Sequence, residues 1–325
     1  QQCEGIEEVL HQGPSLQGLA RYQGMFDTSG LITLPRYGTM PPVDWYLWWM
    51  GLNPAEVDDA EKRNRIALDP VAMAVVAERL DAASGPRILL NPMASEPLRR
   101  MPLAAVQSLA QAVLDADPTA QVVFDQPVAF AHPRVLALAD LIDSPDRLAA
   151  LVAQVDGVIT PDTFLQHVAD ATATPTCTLS ATMPAAFFRY YPLGPTLLLP
   201  GAEVLPGWGR VKVDEARWEG MKAAYFEAWA RLDPALVLAT LAQARETRAR
   251  AYPTALAFRD SVFTEAAMDA LFEQATALVA PFAVGAGGEQ PGATYLTSPA
   301  TFGAALQGLR QHTRNRRALV ASWVP

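Results

Sequence analysis

From residue 86 onward the apolar and polar positions fall into a regular rhythm. Four short apolar runs show no in/out alternation: Arg87 to Asn91 (R-I-L-L-N), Gln121 to Phe124, Gly157 to Thr160 and Thr176 to Leu179. Such runs read as strands covered on both faces. Between them lie stretches whose apolar residues recur at helical spacing: Leu103 to Leu114, Pro145 to Val155 behind Ser144 as N-cap, and Phe164 to Ala171 behind Asp162 and Thr163. Pro133 to Ala139 reads as a further helix, and Leu141 to Ile142 as a short strand. Strands alternating with helices of this length predict βαβ units, a parallel sheet and right-handed crossovers.

The flanks are less regular. Before residue 80, I-E-E-V-L-H reads as a strand, and M-F-D-T-S-G-L-I-T-L-P as a turn and a strand ending at Leu34. Pro35, Pro41 and Pro42 then punctuate the chain ahead of the aromatic run D-W-Y-L-W-W-M-G-L. Trp45, Trp48 and Trp49 lie three and four apart, which places them on one helical face. That face either packs the helix onto a domain or stacks on a sugar. Val71 to Leu80 has helical period. Beyond residue 180, Pro and Gly dominate up to Gly209 apart from the apolar run Thr196 to Leu199. Residues 213–250 then predict one or two helices broken near Asp233-Pro234, with more at 264–280 and 299–312.

Composition narrows the class. At 325 residues, with 50% hydrophobic and 18% charged, the chain is core-forming and long enough for two domains. A net charge of −9 argues against nonspecific nucleic-acid binding and against an anionic membrane surface. Two cysteines, Cys3 and Cys177, build neither a disulfide framework nor a cysteine metal site, and suit a reducing cytoplasm. No run reaches the ~18 apolar residues of a membrane helix. No basic-then-apolar leader opens the chain, and a start at Gln1 rather than Met reads as processed or truncated. The segment G-A-G-G-E-Q-P-G does not open a helix after a strand, so it is no dinucleotide fingerprint.

Two turns carry candidate chemistry. The first, N-P-M-A-S-E-P-L-R-R-M-P, leaves the strand at 87–91 and enters the helix at Pro102. Ser95 offers a hydroxyl there, and Arg99 and Arg100 offer guanidinium forks that match phosphate oxygens. The second, P-D-T-F-L-Q-H, puts Asp162, Thr163 and His167 at the same carboxyl edge of the sheet, where ligands bind and a helix N-terminus suits phosphate. Asp162 and His167 are five apart, not at a metal pair's i, i+4 spacing, so no metal is expected.

Together the two turns resemble the C-terminal half of the ADP-heptose:lipopolysaccharide heptosyltransferases, glycosyltransferase family 9. Asn91-Pro92, Ser95, Arg99 and Met101-Pro102 match the family's first motif, with Met101 in place of Trp. Asp162, Thr163, His167, Ala169, Pro175 and Thr176 match the second, with Phe164 in place of Gly. The resemblance covers about residues 86–200 and is weaker over 1–80, where F-D-T-S-G-L-I-T-L-P and V-D-W-Y-L-W-W-M-G-L-N-P look like the later part of the family's N-terminal domain.

The resemblance implies an α/β, GT-B-like fold in three parts: a partial, acceptor-side α/β domain (1–80), a Rossmann-like nucleotide-sugar-binding domain (81–212) and a helical C-terminal region (213–325). It implies inverting, metal-independent transfer of a sugar, such as a heptose, from a nucleotide-sugar to a glycan or lipopolysaccharide-like acceptor. No cofactor is implied, and the donor, ADP-linked in the heptosyltransferases, is a substrate. Arg99 would neutralise the diphosphate with help from Ser95 and Arg100; the Asp162-Thr163 turn would present N–H groups to the phosphates; His167 would orient that turn or touch the donor. The implied setting is cytoplasmic, peripheral to the inner membrane. The family's opening strand, Gly-rich loop and general-base Asp have no counterpart here. That leaves the catalytic residue unassigned and implies a truncated chain, a partner chain completing the N-terminal domain, or a binding scaffold without turnover.

Overall fold

In the computed structural model of the chain, residues 39–59, 61–80, 85–188, 191–210, 212–283, 303–311 and 313–314 are described. The strands expected at residues 6–11 and up to Leu34 lie outside them. Six strands form one sheet: β1 (Arg87–Leu90), β2 (Gln121–Phe124), β3 (Val135–Ala137), β4 (Gly157–Pro161), β5 (Thr176–Ser180) and β6 (Thr196–Leu198). Every neighbouring pair is parallel, in the order β3-β2-β1-β4-β5-β6. The direction of winding reverses between β1 and β4, which opens a crevice at their carboxyl ends.

The helices are α1 (Pro42–Trp49), α2 (Pro70–Leu80), α3 (Leu103–Ala116), α4 (Pro145–Gln154), α5 (Phe164–Ala171), α6 (Glu215–Ala230), α7 (Pro234–Ser261) and α8 (Glu265–Ala283), followed by α9 at residues 303–311. Successive strand residues feed opposite faces of the sheet. Ile88, Leu90, Val122, Phe124, Ile159, Cys177 and Leu179 pack with α3, α6 and the start of α7. Leu89, Val123 and Val158 pack with α2, α4 and α5. Both faces are therefore dry, the physical reason for strands without alternation. Gly157 lets α7 cross the sheet closely, since a Cβ there would stand 3.1 Å from both methyls of Leu241 and push that side chain aside. The Cys177 thiol, buried in β5, is pushed up to about 12 by desolvation, which leaves it inert at neutral pH.

Two elements differ from the sequence reading. Residues 135–137, expected in a helix, form edge strand β3 on β2. A short V-L-A run after a proline fits either state by periodicity, and pairing with β2 decides it. Leu141 and Ile142, expected as a strand, instead turn back, their N–H groups donating to Leu138 O at 2.9 and 3.0 Å. Ala72, Val76 and Leu80 of α2 lie in the sheet's own core, and so do Met221, Tyr225 and Trp229 of α6. By its contacts the chain divides into two units, Gln1–Glu246 and Thr247–Pro325. Within the second unit, Arg310 pairs with Asp269 and Glu273 of α8, and Arg314 with Glu265.

Arg134 secures the entry to β3. Its guanidinium donates to the carbonyls of Leu114, Asp117 and Ala120 at 2.7, 2.8 and 3.0 Å, closing the end of α3 and the turn into β2. Arg134→Ala leaves three carbonyls short of a donor. The expected loss is about 1–3 kcal/mol, read as a lower urea midpoint at unchanged slope.

Candidate functional site

The crevice is built by two loops that leave adjacent strands on the same edge. After β1, the Asn91 backbone N–H still donates to Ile159 O of β4 (3.0 Å). The loop then closes on itself: Met101 N–H donates to Pro92 O at 2.9 Å, and Leu98 and Met101 sink into the core. Met101 thus fills, as a buried apolar residue, the place where the resemblance expects Trp. This clamp delivers Arg99, at the end of a 3-10 turn (Pro97–Arg99), to the crevice. After β4, Asp162 N–H donates to Leu179 O (3.2 Å), and Thr163 caps α5 with its hydroxyl accepting from Leu165 N–H at 3.0 Å.

The loops meet through one guanidinium. Arg99 Nη1 donates to the Asp162 carbonyl at 2.9 Å and lies 3.5 Å from its carboxylate, while Nη2 donates to Ser95 Oγ at 2.9 Å. Gln166 Nε2 holds the other Asp162 oxygen at 2.7 Å. Burial pushes the Asp162 carboxyl above the usual carboxylate range, and the positive charge of Arg99 and the nearby His167 only partly offset it.

Opposite stands a second wall that sequence reasoning missed. Lys62 and Asn64 come from the segment before α2, Tyr46 from α1 and Tyr191 from the loop before β6; with Arg99, Asp162 and His167 they enclose a cavity of about 560 Å³. That is the size of a small-ligand pocket. The Lys62 side chain is 2% exposed, 3.1 Å from Asp44 and 3.5 Å from Asp59. The wall is anchored on α5: Asp170 accepts from Arg63 Nε (3.1 Å), Asn64 N–H (2.9 Å) and Asn64 Nδ2 (3.2 Å), and Arg63 Nη2 also reaches the Asp170 carbonyl at 3.0 Å. The Tyr191 hydroxyl meets His167 Nδ1. In sequence these residues sit in D-D-A-E-K-R-N, which reads as a solvated charged stretch, and Tyr191 lies in a Pro/Gly-rich loop without period.

The sequence candidates divide. Arg99, Asp162 and His167 converge on the cavity. Ser95, Arg100 and Thr163 do not line it: Ser95 receives Arg99, Arg100 folds back onto Ala94 O (2.9 Å) and Ser95 O (3.3 Å), and Thr163 spends its hydroxyl on the cap. The three tryptophans share one face as expected, with ring centroids 5.1–6.4 Å apart, Trp45 buried at 3% beneath Trp48 and Trp49, exposed at 47% and 42%. Trp48 stands edge-on to Trp45 at 5.1 Å. Asp162 is the only carboxylate among the described residues lining the cavity. No group of three or more His, Cys, Asp or Glu among the described residues could hold a metal ion, and none of their helices is long and apolar enough to cross a membrane.

Two outcomes follow from this wall. Asp170→Ala frees Arg63 and Asn64 and removes about 3 kcal/mol of stability, measured by urea unfolding, and amide exchange at residues 62–64 accelerates. His167 keeps an open edge, yet burial on its other sides holds its imidazole below the ordinary 6.5, against the opposing pull of Asp162 and Asp170. A lowered folded value means stability that is full above pH 6.5 and is lost as the pH falls through the folded value. His167→Gln flattens that limb of the stability–pH curve.

No family model and no curated protein matches the chain. Solved structures do. An E. coli ADP-heptose LPS heptosyltransferase II is 18% identical over 56% of this chain and 54% of its own, with a TM-score of 0.42. A glycosyl transferase family 9 protein from Veillonella parvula DSM 2008 is 15% identical over 64% and 61%, with a TM-score of 0.44. E. coli heptosyltransferase WaaC, solved with ADP-2-deoxy-2-fluoro heptose, is 15% identical over 56% and 54%, with a TM-score of 0.33. The matched part thus spans 54–61% of these proteins' own lengths. The solved structures to which this chain is similar include members of the family that its two turn motifs resemble.

Proposed function

We propose that this chain is the nucleotide-sugar-binding part of a glycosyltransferase. The donor diphosphate sits in the crevice between β1 and β4, and a sugar, a heptose in the finer reading, passes with inversion to a glycan or lipopolysaccharide-like acceptor without a required metal. The observation that carries this reading is the meeting of Arg99 with the Asp162 turn at the reversal of the parallel sheet, on the wall of a ligand-sized cavity.

Departure of a nucleoside diphosphate places growing negative charge on the bridging oxygen. A guanidinium fixed before the reaction stabilises that charge without reorganising. Arg99 is fixed by Asp162 and Ser95, and its Nε–H is buried with no acceptor among the described residues, a donor that a phosphate oxygen would satisfy. Lys62 adds a second cation across the cavity. Tyr46 on the cavity wall, and the exposed rings of Trp48 and Trp49 on the same helix, offer aromatic faces suited to stacking a sugar. Residues 1–80 contribute to the acceptor side in this reading, completed by a further segment or partner chain that supplies the general base. The donor comes from the cytoplasm and the acceptor from the face of the inner membrane.

A second reading, a glycosyltransferase-like scaffold that binds without turnover, is favoured by one observation: the cavity's single described carboxylate, Asp162, is already held by Arg99 and Gln166 and is a poor base for an acceptor hydroxyl.

Thermal shift separates the readings from no binding at all. ADP, GDP and UDP, with their sugar conjugates, are added to the full chain. One base is expected to raise Tm by about 2–4 °C at saturating concentration, and Arg99→Gln to weaken that nucleotide about 10–100-fold. No shift with any nucleotide overturns the proposal. A shift without transfer or donor hydrolysis selects the scaffold.

A further inference from the structure

We infer that Thr182 is a further ligand contact of the cavity, its hydroxyl left unpartnered by the fold and bonded by an oxygen of the occupant. Thr182 lies beyond both sequence motifs, in the turn S-A-T-M-P at the end of β5. β5 runs parallel to β4, with Leu179 beside Pro161, so this turn leaves the same sheet edge as the Asp162 turn. Thr182 lines the cavity together with Arg99, Asp162 and His167.

The turn is fixed without help from the Thr182 side chain. Ser180 Oγ donates to Met183 O at 2.8 Å and accepts from Met183 N–H at 3.1 Å. Leu199 N–H donates to Ser180 O at 2.9 Å, and Gly209 N–H to Thr182 O at 2.7 Å. The backbone around Thr182 is thus tied to the end of β6 and to the Gly209 loop. Ser180 and Thr182 are both fully buried, yet the Ser180 hydroxyl bonds twice while Thr182 Oγ1 has no partner among the described residues. A buried hydroxyl without a partner destabilises a fold, and valine would fill nearly the same space without that cost. Local packing therefore gives no reason for a hydroxyl here. A partner that enters the cavity does.

Thr178 shows that a missing partner is not enough. It too is fully buried with an unbonded Oγ1, but it lies within β5 and does not line the cavity. What sets Thr182 apart is its place on the cavity wall. Arg99 lines the same cavity, and its buried Nε–H has no acceptor among the described residues. A guanidinium only donates, and a hydroxyl donates or accepts. An occupant with several acceptor oxygens satisfies both groups, and the shared chemistry is an oxygen of a phosphate or of a sugar. That ligand class rests on the proposed function; the unpartnered hydroxyl on the cavity wall does not.

The test is Thr182→Val in the full chain, read by thermal shift and by isothermal titration with ADP, GDP, UDP, their sugar conjugates and inorganic pyrophosphate. Without ligand, Thr182→Val is expected to raise Tm by about 2 °C, because it removes a hydroxyl that has nothing to bond. It is expected to weaken the probe that the native chain binds best about tenfold. Weakening of a free diphosphate assigns the contact to a phosphate oxygen, and weakening of a sugar conjugate alone assigns it to the sugar. Thr182→Ser, which keeps the hydroxyl, recovers most of the affinity. Thr178→Val raises Tm similarly and leaves the affinity at the native value. Equal affinity in native and Thr182→Val chains overturns the inference, as does a fall in the ligand-free Tm, which reveals a partner within the fold. Binding of pyrophosphate but of no nucleotide, weakened by Thr182→Val, keeps the contact and removes the proposed function instead. A native chain that binds none of these probes overturns both.

Discussion

One guanidinium joins what the sequence keeps 63 positions apart. Arg99 spans from the loop after β1 to the turn after β4, holding the Asp162 carbonyl, its carboxylate and Ser95 at once. It can do so only because the sheet reverses between these strands, so that both loops leave the same edge side by side. The pair is largely buried, with 15% and 11% of the two side chains exposed. Pairs of this kind contribute little net stability against an apolar replacement, but removing one partner strands the other without solvent. Their value lies in permitting one arrangement of the loops. Burial alone pushes the Asp162 carboxyl toward its neutral form, and the guanidinium is the largest opposing influence.

The second wall makes a cavity of what would otherwise be an open edge, and it uses the same logic of balanced charge. Lys62 is buried against Asp44, and Arg63, partly exposed, pairs with Asp170. Among the described residues lining the cavity, both Lys62 and Arg99 therefore have a resident carboxylate. An incoming anion does not meet bare positive charge; it competes for cations already satisfied. The net gain on binding is the difference between two sets of hydrogen bonds in the same low-dielectric space, smaller than either set alone. Geometry then decides the ligand more than charge does, since any anion held by both Arg99 and Lys62 must span the cavity between them.

The sheet was legible because both of its faces are buried, which writes uninterrupted apolar runs into β1, β2, β4 and β5, and because Ser144 and Thr163 mark helix starts that the structure also uses as caps. The β3 edge was not legible: three residues carry no distinguishing period, and their state is set by pairing with β2. In the site, Arg99, Asp162 and His167 were visible because each sits at a fixed offset from a strand end. Ser95, Arg100 and Thr163 shared those offsets but are turned into their own loops by local hydrogen bonds that spacing does not encode. Lys62, Asn64 and Tyr191 were invisible, since only the folding of two non-regular segments over α5 brings them near. Trp45, Trp48 and Trp49 show the reverse: spacing placed them on one face, as their ring contacts at 5.1–6.4 Å bear out, but did not say that Trp45 is buried and the other two exposed.

The start of α5 argues that side chains, not the helix itself, carry the anion chemistry here. A helix N-terminus binds phosphate through backbone N–H groups that have no other acceptor. Here the Leu165 N–H is committed to the Thr163 hydroxyl, and the exposed Phe164 side chain stands where glycine would allow closer approach. The dipole of an eight-residue helix remains, but it acts weakly and is screened by salt. Guanidinium and imidazole N–H groups on neighbouring loops are then the donors able to reach an oxygen at bonding distance. Under the proposed function, that shift moves the burden of recognition from backbone, which any sequence can supply, to the side chains of Arg99 and His167 on the cavity wall.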